Sequence, residues 1–276
     1  MVKILQNYIT QNDGYKKNGS LLPKGIMIHS TATPGIMAQE FHDRFDKPNL
    51  GKSIHAFIDD TVCIQCLPWD KKAGHCLLSG NDTHIGIEMC EPREWTTDDA
   101  YFKRVYQNAV DISVYLCKLY GITAENVISH AEGYQKGIAS NHADVGHWFP
   151  YFNKDMNDFR AAVRQGLNER AISKELQTVL NAAYNTELVV DGIIGNKTTA
   201  VISSHHLFYI EGAMIRNIYV KWVQGRLISK AYNCGKTGAD GIYGKNTKSA
   251  VVAFQKENGL SQDGIVGIKT ITAIVE

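Results

Sequence analysis

Ten histidines in a chain of 276 residues are the side chains best placed to do chemistry, and eight of them fall before residue 150. Metal ligands must be distant in sequence yet convergent in space, and a catalytic zinc takes three protein ligands and keeps one position open for water. Three places have that character. His29 ends the apolar run Ile26-Met-Ile28 and precedes Ser30-Thr31, so its ring projects at a sheet edge. His130 follows another apolar run in Val127-Ile-Ser-His130. Asp144 lies in Asn141-His-Ala-Asp-Val-Gly146, a loop of small residues able to fold back over such an edge. Taken singly, a histidine at a strand end is by default a satisfied structural group; the grouping is what raises a metal site.

Glu88 belongs to the run Ile85-Gly-Ile-Glu-Met-Cys90, where alternation places it with Gly86 on one face and Ile87 with Met89 on the other. A carboxylate on such a strand is costly unless paired or functional, so a buried ion pair and a catalytic base both stand open. Glu91, before Pro92, is expected to be exposed, Glu132 to support its loop, and His42 to lie on a solvated helix face. Cys63-Ile-Gln-Cys66 has redox-motif spacing, but on a strand positions i and i+3 face opposite ways, which argues against a dithiol or metal pair. Trp69, Trp95 and Trp148 flank the loops near these groups, with structural packing as the default for each.

These groups need a scaffold. Gly25 to Thr31 reads as a buried strand, Ser53 to Asp59 and Thr61 to Leu67 as a hairpin turning at Asp59-Asp60, and Thr83 to Cys90 as a fourth strand. Phe102, Val105, Ala109, Ile112, Leu116 and Leu119 recur at helical spacing, so a long helix follows, with Thr96 or Thr97 as its cap and Gly121 as its stop. A last helix begins near Asp158. The expected fold is an α/β domain, a mixed central sheet flanked by helices, over residues 1–165, then a polar linker over 166–171, then a small all-α repeat module over 172–276.

The module is announced by a repeat. Asp191-Gly-Ile-Ile-Gly-Asn-Lys-Thr198, Asp240-Gly-Ile-Tyr-Gly-Lys-Asn-Thr247 and Asp263-Gly-Ile-Val-Gly-Ile-Lys-Thr270 share Asp-Gly-Ile-x-Gly-x-x-Thr. The pattern reads as a turn feeding a helix: the Ile plugs the core, the second Gly takes positive φ, and the Thr caps the helix. With Val223-Gln224 before it and Phe254-Gln255 within it, residues 219–275 resemble one complete helical peptidoglycan-binding repeat. Residues 172–218 carry Leu176-Gln177 and one turn before diverging at His205-His206, a divergent or partial copy.

The first half carries Ile28-His29-Ser30, Ser53-Ile-His-Ala-Phe-Ile-Asp59, Ile85-Gly-Ile-Glu88, Ser129-His130 and His142-Ala-Asp-Val-Gly146 in order. In that order the motifs resemble the zinc N-acetylmuramoyl-L-alanine amidases, the family of phage endolysins and peptidoglycan-recognition folds. The resemblance implies a Zn2+ held by His29, His130 and Asp144, with Glu88 as general base. Relatives often have Asp-Pro-Gly at the last ligand, where this chain has Asp144-Val145-Gly146. They often place a Lys two positions earlier, where His142 stands; an imidazole there would steady an oxyanion or compete as a ligand. His55 and His75 match family positions that face substrate, and for His55 a packed core role is an equal reading.

The implied function is hydrolysis of the amide between N-acetylmuramic acid and L-alanine of bacterial peptidoglycan, with the repeat module holding the enzyme on its polymer. A metallopeptidase cutting within the stem peptide, or a recognition protein that only binds, are the alternatives. The formal charge is +1, from 29 Lys and Arg against 28 Asp and Glu, so nothing suggests nucleic-acid binding. No run approaches the roughly 18 apolar residues of a membrane span, and the N-terminal stretch lacks the apolar core of a secretory signal. The expectation is synthesis in the cytoplasm without a signal peptide and action on the wall after release. The six cysteines show no disulfide spacing.

Overall fold

A computed structural model describes residues 2–211 and 215–276. The chain divides into two compact units, residues 1–167 and 168–276.

In the first unit the elements in chain order are strand β1 (Ile4–Gln6), helix α1 (Asp13–Lys17), β2 (Gly25–Ser30), α2 (Ala38–Phe45), β3 (Ala56–Ile58), β4 (Cys63–Gln65), β5 (His84–Met89), α3 (Asp99–Tyr120), β6 (Val127–Ser129), α4 (His130–Gln135) and the start of α5 (Met156–Tyr184). The six strands form one sheet in the order β1-β4-β3-β5-β2-β6. Every pairing is parallel except β3 with β4, the expected hairpin, which makes the sheet mixed.

Side-chain alternation decides what each face does. Ile26, Ile28, Ile85, Ile87 and Met89 join the core built with α3, through Phe102, Val105, Ala109, Ile112 and Leu116. The opposite face carries Phe57, Ile64 and Cys66, packed with Phe41 of α2. Cys63 and Cys66 therefore sit in separate cores, and burial pushes the Cys63 thiol up to about 12. Strand β2 is buried along its whole length, as expected of a strand covered on both faces.

Helix α3 stops at Gly121 as expected, with φ +67. Its cap is Asp98 rather than Thr96 or Thr97: the Asp98 carboxylate accepts from the Tyr101 N–H at 2.9 Å, and a carboxylate also suits the positive end of the helix. Leu119 is exposed, because the apolar stripe drifts off the core in the last turn.

Residues 166–171, expected as a polar linker, are helical within α5. Gln165, Leu167, Glu169 and Arg170 are good helix formers, so polar composition there marks a solvated helix. The second unit comprises the rest of α5 with α6 (Asn196–Ser204), α7 (Ile218–Ser229), α8 (Lys245–Glu257) and α9 (Ile268–Val275). Its core includes Leu176, Ile202, Tyr219, Val223, Tyr243, Phe254, Val266 and Ile271. No helix among the described residues is long and apolar enough to cross a membrane.

Candidate metal centre and active site

The carboxyl ends of parallel strands are where open α/β sheets place their ligands, and β2, β5 and β6 converge there. His29 is next to last in β2 and pairs in register with Glu88 of β5. His130 is the first residue of α4, directly after β6. Its helix starts with a capping box: Ser129 Oγ accepts from the Glu132 N–H, and the Glu132 carboxylate accepts from the Ser129 N–H. Arg160 closes on Glu132 at 3.0 Å. The Ala131 N–H donates to the Asp144 carbonyl at 3.1 Å, which ties the 141–146 loop to the same helix start.

This brings His29, His130 and Asp144 together, all three buried. His29 Nδ1 lies 3.1 Å from Asp144 Oδ2, His130 Nδ1 lies 3.0 Å from His29 Nδ1, and His130 Nδ1 lies 3.6 Å from Asp144 Oδ2. Ligands at about 2.0–2.1 Å around a tetrahedral zinc stand roughly 3.3 Å apart. The three separations bracket that edge length, and two imidazoles with one carboxylate are zinc chemistry, so the residues present fit the metal.

The ring tautomers point the same way. Burial lowers the pKa of His29 and of His75, which keeps both rings neutral. The His84 carbonyl lies 3.1 Å from His75 Nε2 and can only accept, so His75 donates there and its Nδ1 becomes an acceptor. His29 Nε2, 2.9 Å from His75 Nδ1, must then be the donor. The lone pair of His29 is left on Nδ1, facing Asp144. Ser140 Oγ lies 3.2 Å from His130 Nε2, so an N–H on that side leaves the His130 Nδ1 lone pair toward the same point. Gly86 makes room for this relay, since a Cβ there would stand 2.6 Å from His75 Cγ.

Burial opposes ionisation of Asp144, yet the imidazoles around it, with His142 Nδ1 2.6 Å from Oδ1, hold its carboxyl well below the usual carboxylate range. His142 contacts Asp144 Oδ1 at 2.6 Å, the oxygen turned away from the three-ligand cluster, and is 60% exposed. It is outside the cluster that could hold an ion. Glu88 lies across a cavity of about 310 Å³ lined also by His29, His75, His130, His142 and Asp144. Its Oε2 is buried without a hydrogen-bond partner. Burial first, and the Asp144 charge second, raise its pKa to about 8.

Residues 19–150 match the family model described as N-acetylmuramoyl-L-alanine amidase. The first unit carries that amidase domain. A probable N-acetylmuramoyl-L-alanine amidase of Bacillus licheniformis is 29% identical over 99% of this chain and 73% of its own length. The amidase XlyA of Bacillus subtilis strain 168 is 27% identical over 95% of this chain and 94% of its own. In structure, the Staphylococcus aureus hydrolase AmiA shares the fold, with a TM-score of 0.52 and 19% identity over 62% of this chain and 85% of that one. Residues 217–274 match a putative peptidoglycan binding domain. The chain is a cell-wall hydrolase with an amidase domain and a peptidoglycan-binding domain.

Not every sequence expectation reaches the amidase cavity. His55 is fully buried, its Nε2 donating to the Lys71 carbonyl at 2.7 Å and its Nδ1 accepting from the Gly86 N–H at 2.9 Å, so no ring nitrogen is left for substrate. His75 lines the cavity, but both of its nitrogens are used by His29 and His84. Glu91 is buried, contrary to its expected exposure; it accepts from the Ala32 N–H at 3.2 Å and contacts His147 at 2.9 Å. His42 is buried as well. The His75 to His29 relay is invisible in the sequence because 46 residues separate the partners; Gly86, two residues before Glu88, is the one local sign of it.

The binding domain turns on a residue the motif leaves outside its eight positions. Gln224 Nε2 donates to Asp240 Oδ1, the Ile242 carbonyl and Thr247 Oγ1, while its Oε1 accepts from the Gly241 N–H. Gln255 repeats this on Asp263, Ile265, Thr270 and Gly264, and Gln177 on Asp191, Ile193, Thr198 and Gly192. Three roles differ from the expected ones. The first glycine takes positive φ, at +77, +79 and +67; the second glycine is the helix cap. The threonine sits inside the helix, and the side chain after the Ile fills the core: Tyr243 and Val266 are buried, whereas Ile193 and Ile265 are exposed.

Proposed function

We propose that the amidase domain cleaves the amide between N-acetylmuramic acid and L-alanine with a zinc ion held by His29 Nδ1, His130 Nδ1 and Asp144 Oδ2. When bound, zinc supplies Lewis acidity, lowering the pKa of a water from 15.7 to about 7 and polarising a carbonyl. The observation that carries the reading is the close approach of those three buried atoms opposite the unpartnered Glu88 Oε2.

The chain's own groups then divide the proton work. Glu88 Oε2 takes a proton from the attacking water as the new C–O bond forms, and delivers it to the amine nitrogen as the C–N bond breaks. A cation beside Glu88 favours its ionised form, which offsets the desolvation that otherwise keeps it protonated near neutrality. His142, anchored to Asp144 through Nδ1, offers Nε2–H to the developing oxyanion. His75 takes no proton; it orients His29. The binding domain adds a second attachment to the same polymer, raising the effective concentration of the amidase at the wall.

Digestion of purified wall followed by mass spectrometry of the new termini tests this. New N-terminal L-alanine is the expected product, and Glu88→Gln is expected to abolish its release while zinc stays bound. Termini elsewhere in the stem peptide would replace the amidase reading with a peptidase one.

A further inference from the structure

Leu77 stands out at the rim of the cavity. Its φ is +66, a backbone conformation that a bulky L side chain resists. Of the six non-glycine residues with positive φ among the described residues, three are asparagines, which tolerate it, two are alanines, and Leu77 is the only large apolar one. It is 80% exposed, so its side chain does no work in the core. The preceding backbone is clamped: Asn81 Oδ1 accepts from the N–H groups of His75 and Cys76 at 2.9 Å each, and the Ser140 N–H donates to the Cys76 carbonyl. A glycine would serve this turn better. The leucine instead lines the catalytic cavity, as Phe45 and Ile54 also do.

A second groove of about 280 Å³, lined by Ala32, Asn141, His142, Ala143, Asp144 and His147, shares Ala32, His142 and Asp144 with the cavity. We propose that Leu77 is a substrate-contacting, specificity-determining residue that receives the peptide beyond the scissile amide. Lys52, whose ammonium lies 5.0 Å over the Phe45 ring on the apolar side, supplies a cation for a peptide carboxylate. The substrate then enters with the amine side of its scissile amide toward Leu77. This inference rests on the amidase reading above.

Steady-state kinetics of the zinc-loaded full chain on a soluble N-acetylmuramoyl-peptide provide the test. Leu77→Gly is expected to raise KM about 10-fold, the effect of losing a partly buried leucine contact, with kcat within about two-fold. Its melting temperature is expected not to fall, because glycine adopts this φ freely, and Leu77→Met is expected to restore KM. A free peptide beginning with L-alanine should inhibit Leu77→Gly about 10-fold less well than wild type, while N-acetylmuramic acid inhibits both equally. An unchanged KM, or weakened inhibition by the sugar in place of the peptide, would overturn the proposal. Failure of the wild type to release N-terminal L-alanine would instead overturn the amidase reading, and the assignment of Leu77 with it.

Discussion

His29 and Glu88 stand directly opposite each other on neighbouring parallel strands, so an imidazole of the buried His29-His130-Asp144 cluster and a carboxylate with a buried, unpartnered Oε2 share one face of the sheet at its carboxyl edge. The rigid pairing of β2 with β5 fixes their spacing, and neither side chain depends on a mobile loop for its position. Asp144 and His142 come from the loop tied to the start of α4, and they complete the site from the other side.

The environment of Glu88 has a pH signature in the metal-free protein. Its carboxyl ionises near 4.5 in an ordinary setting but only at about 8 here. A group whose folded pKa is raised contributes stability below the unfolded value and loses that contribution as pH rises through the folded one. Relative to Glu88→Gln, metal-free wild type is expected to match in stability near about pH 4 and to fall behind by on the order of a few kcal/mol by about pH 9. Thermal unfolding of both proteins across that range measures it, and parallel curves would show that Glu88 is not desolvated.

His75 is a positioning residue, and its effect is expected in metal affinity. Replacing it with leucine removes the acceptor for His29 Nε2–H and frees that ring to rotate or change tautomer. Zinc affinity, read by competition with a chelator, is expected to drop about 10- to 100-fold, and His75→Gln, which retains an acceptor, is expected to recover part of the loss. Affinity unchanged in His75→Leu would mean that packing alone orients His29.

Much of this site is legible in the amino-acid sequence because period-2 alternation is a strong constraint. Alternation alone places Glu88 with Gly86 and away from Ile87 and Met89, and the ordered motifs nominate His29, His130 and Asp144. What alternation cannot show is what a residue meets across the sheet. His55 and His75 have the same residue type and similar settings in sequence, yet one is spent on two backbone groups and the other on His29. In the repeats, the fixed residues are visible but their division of labour is not. Asp-Gly-Ile-x-Gly does not say which glycine is left-handed, and the Gln that satisfies the turn lies 8 to 16 residues before its Asp. The helix through 166–171 is hidden because a solvated helix and an irregular linker share the same polar composition.

The three glutamine hubs make a stability prediction. Gln224→Leu keeps the apolar stem but leaves the Gly241 N–H without its buried acceptor, a cost of about 1–3 kcal/mol. Gln177→Leu is expected to cost a similar amount, because its bonds to Asp191, Ile193 and Gly192 repeat the same set. Amide hydrogen exchange at Gly192 and Gly241 would report the loosening locally, while turnover of a soluble muropeptide stays at the wild-type rate. A harmless Gln177→Leu would mark residues 172–204 as a helical pair that merely resembles a repeat.

The central claim is the ligand set, and zinc content measures it most directly. Protein purified and dialysed with zinc, in wild type, Asp144→Ala and His142→Ala forms, should be assayed by atomic emission. Wild type and His142→Ala are predicted to retain about one zinc per chain and Asp144→Ala to retain essentially none. Zinc kept by Asp144→Ala, or lost from His142→Ala with the fold intact, would contradict the assignment of His29, His130 and Asp144 as the metal site.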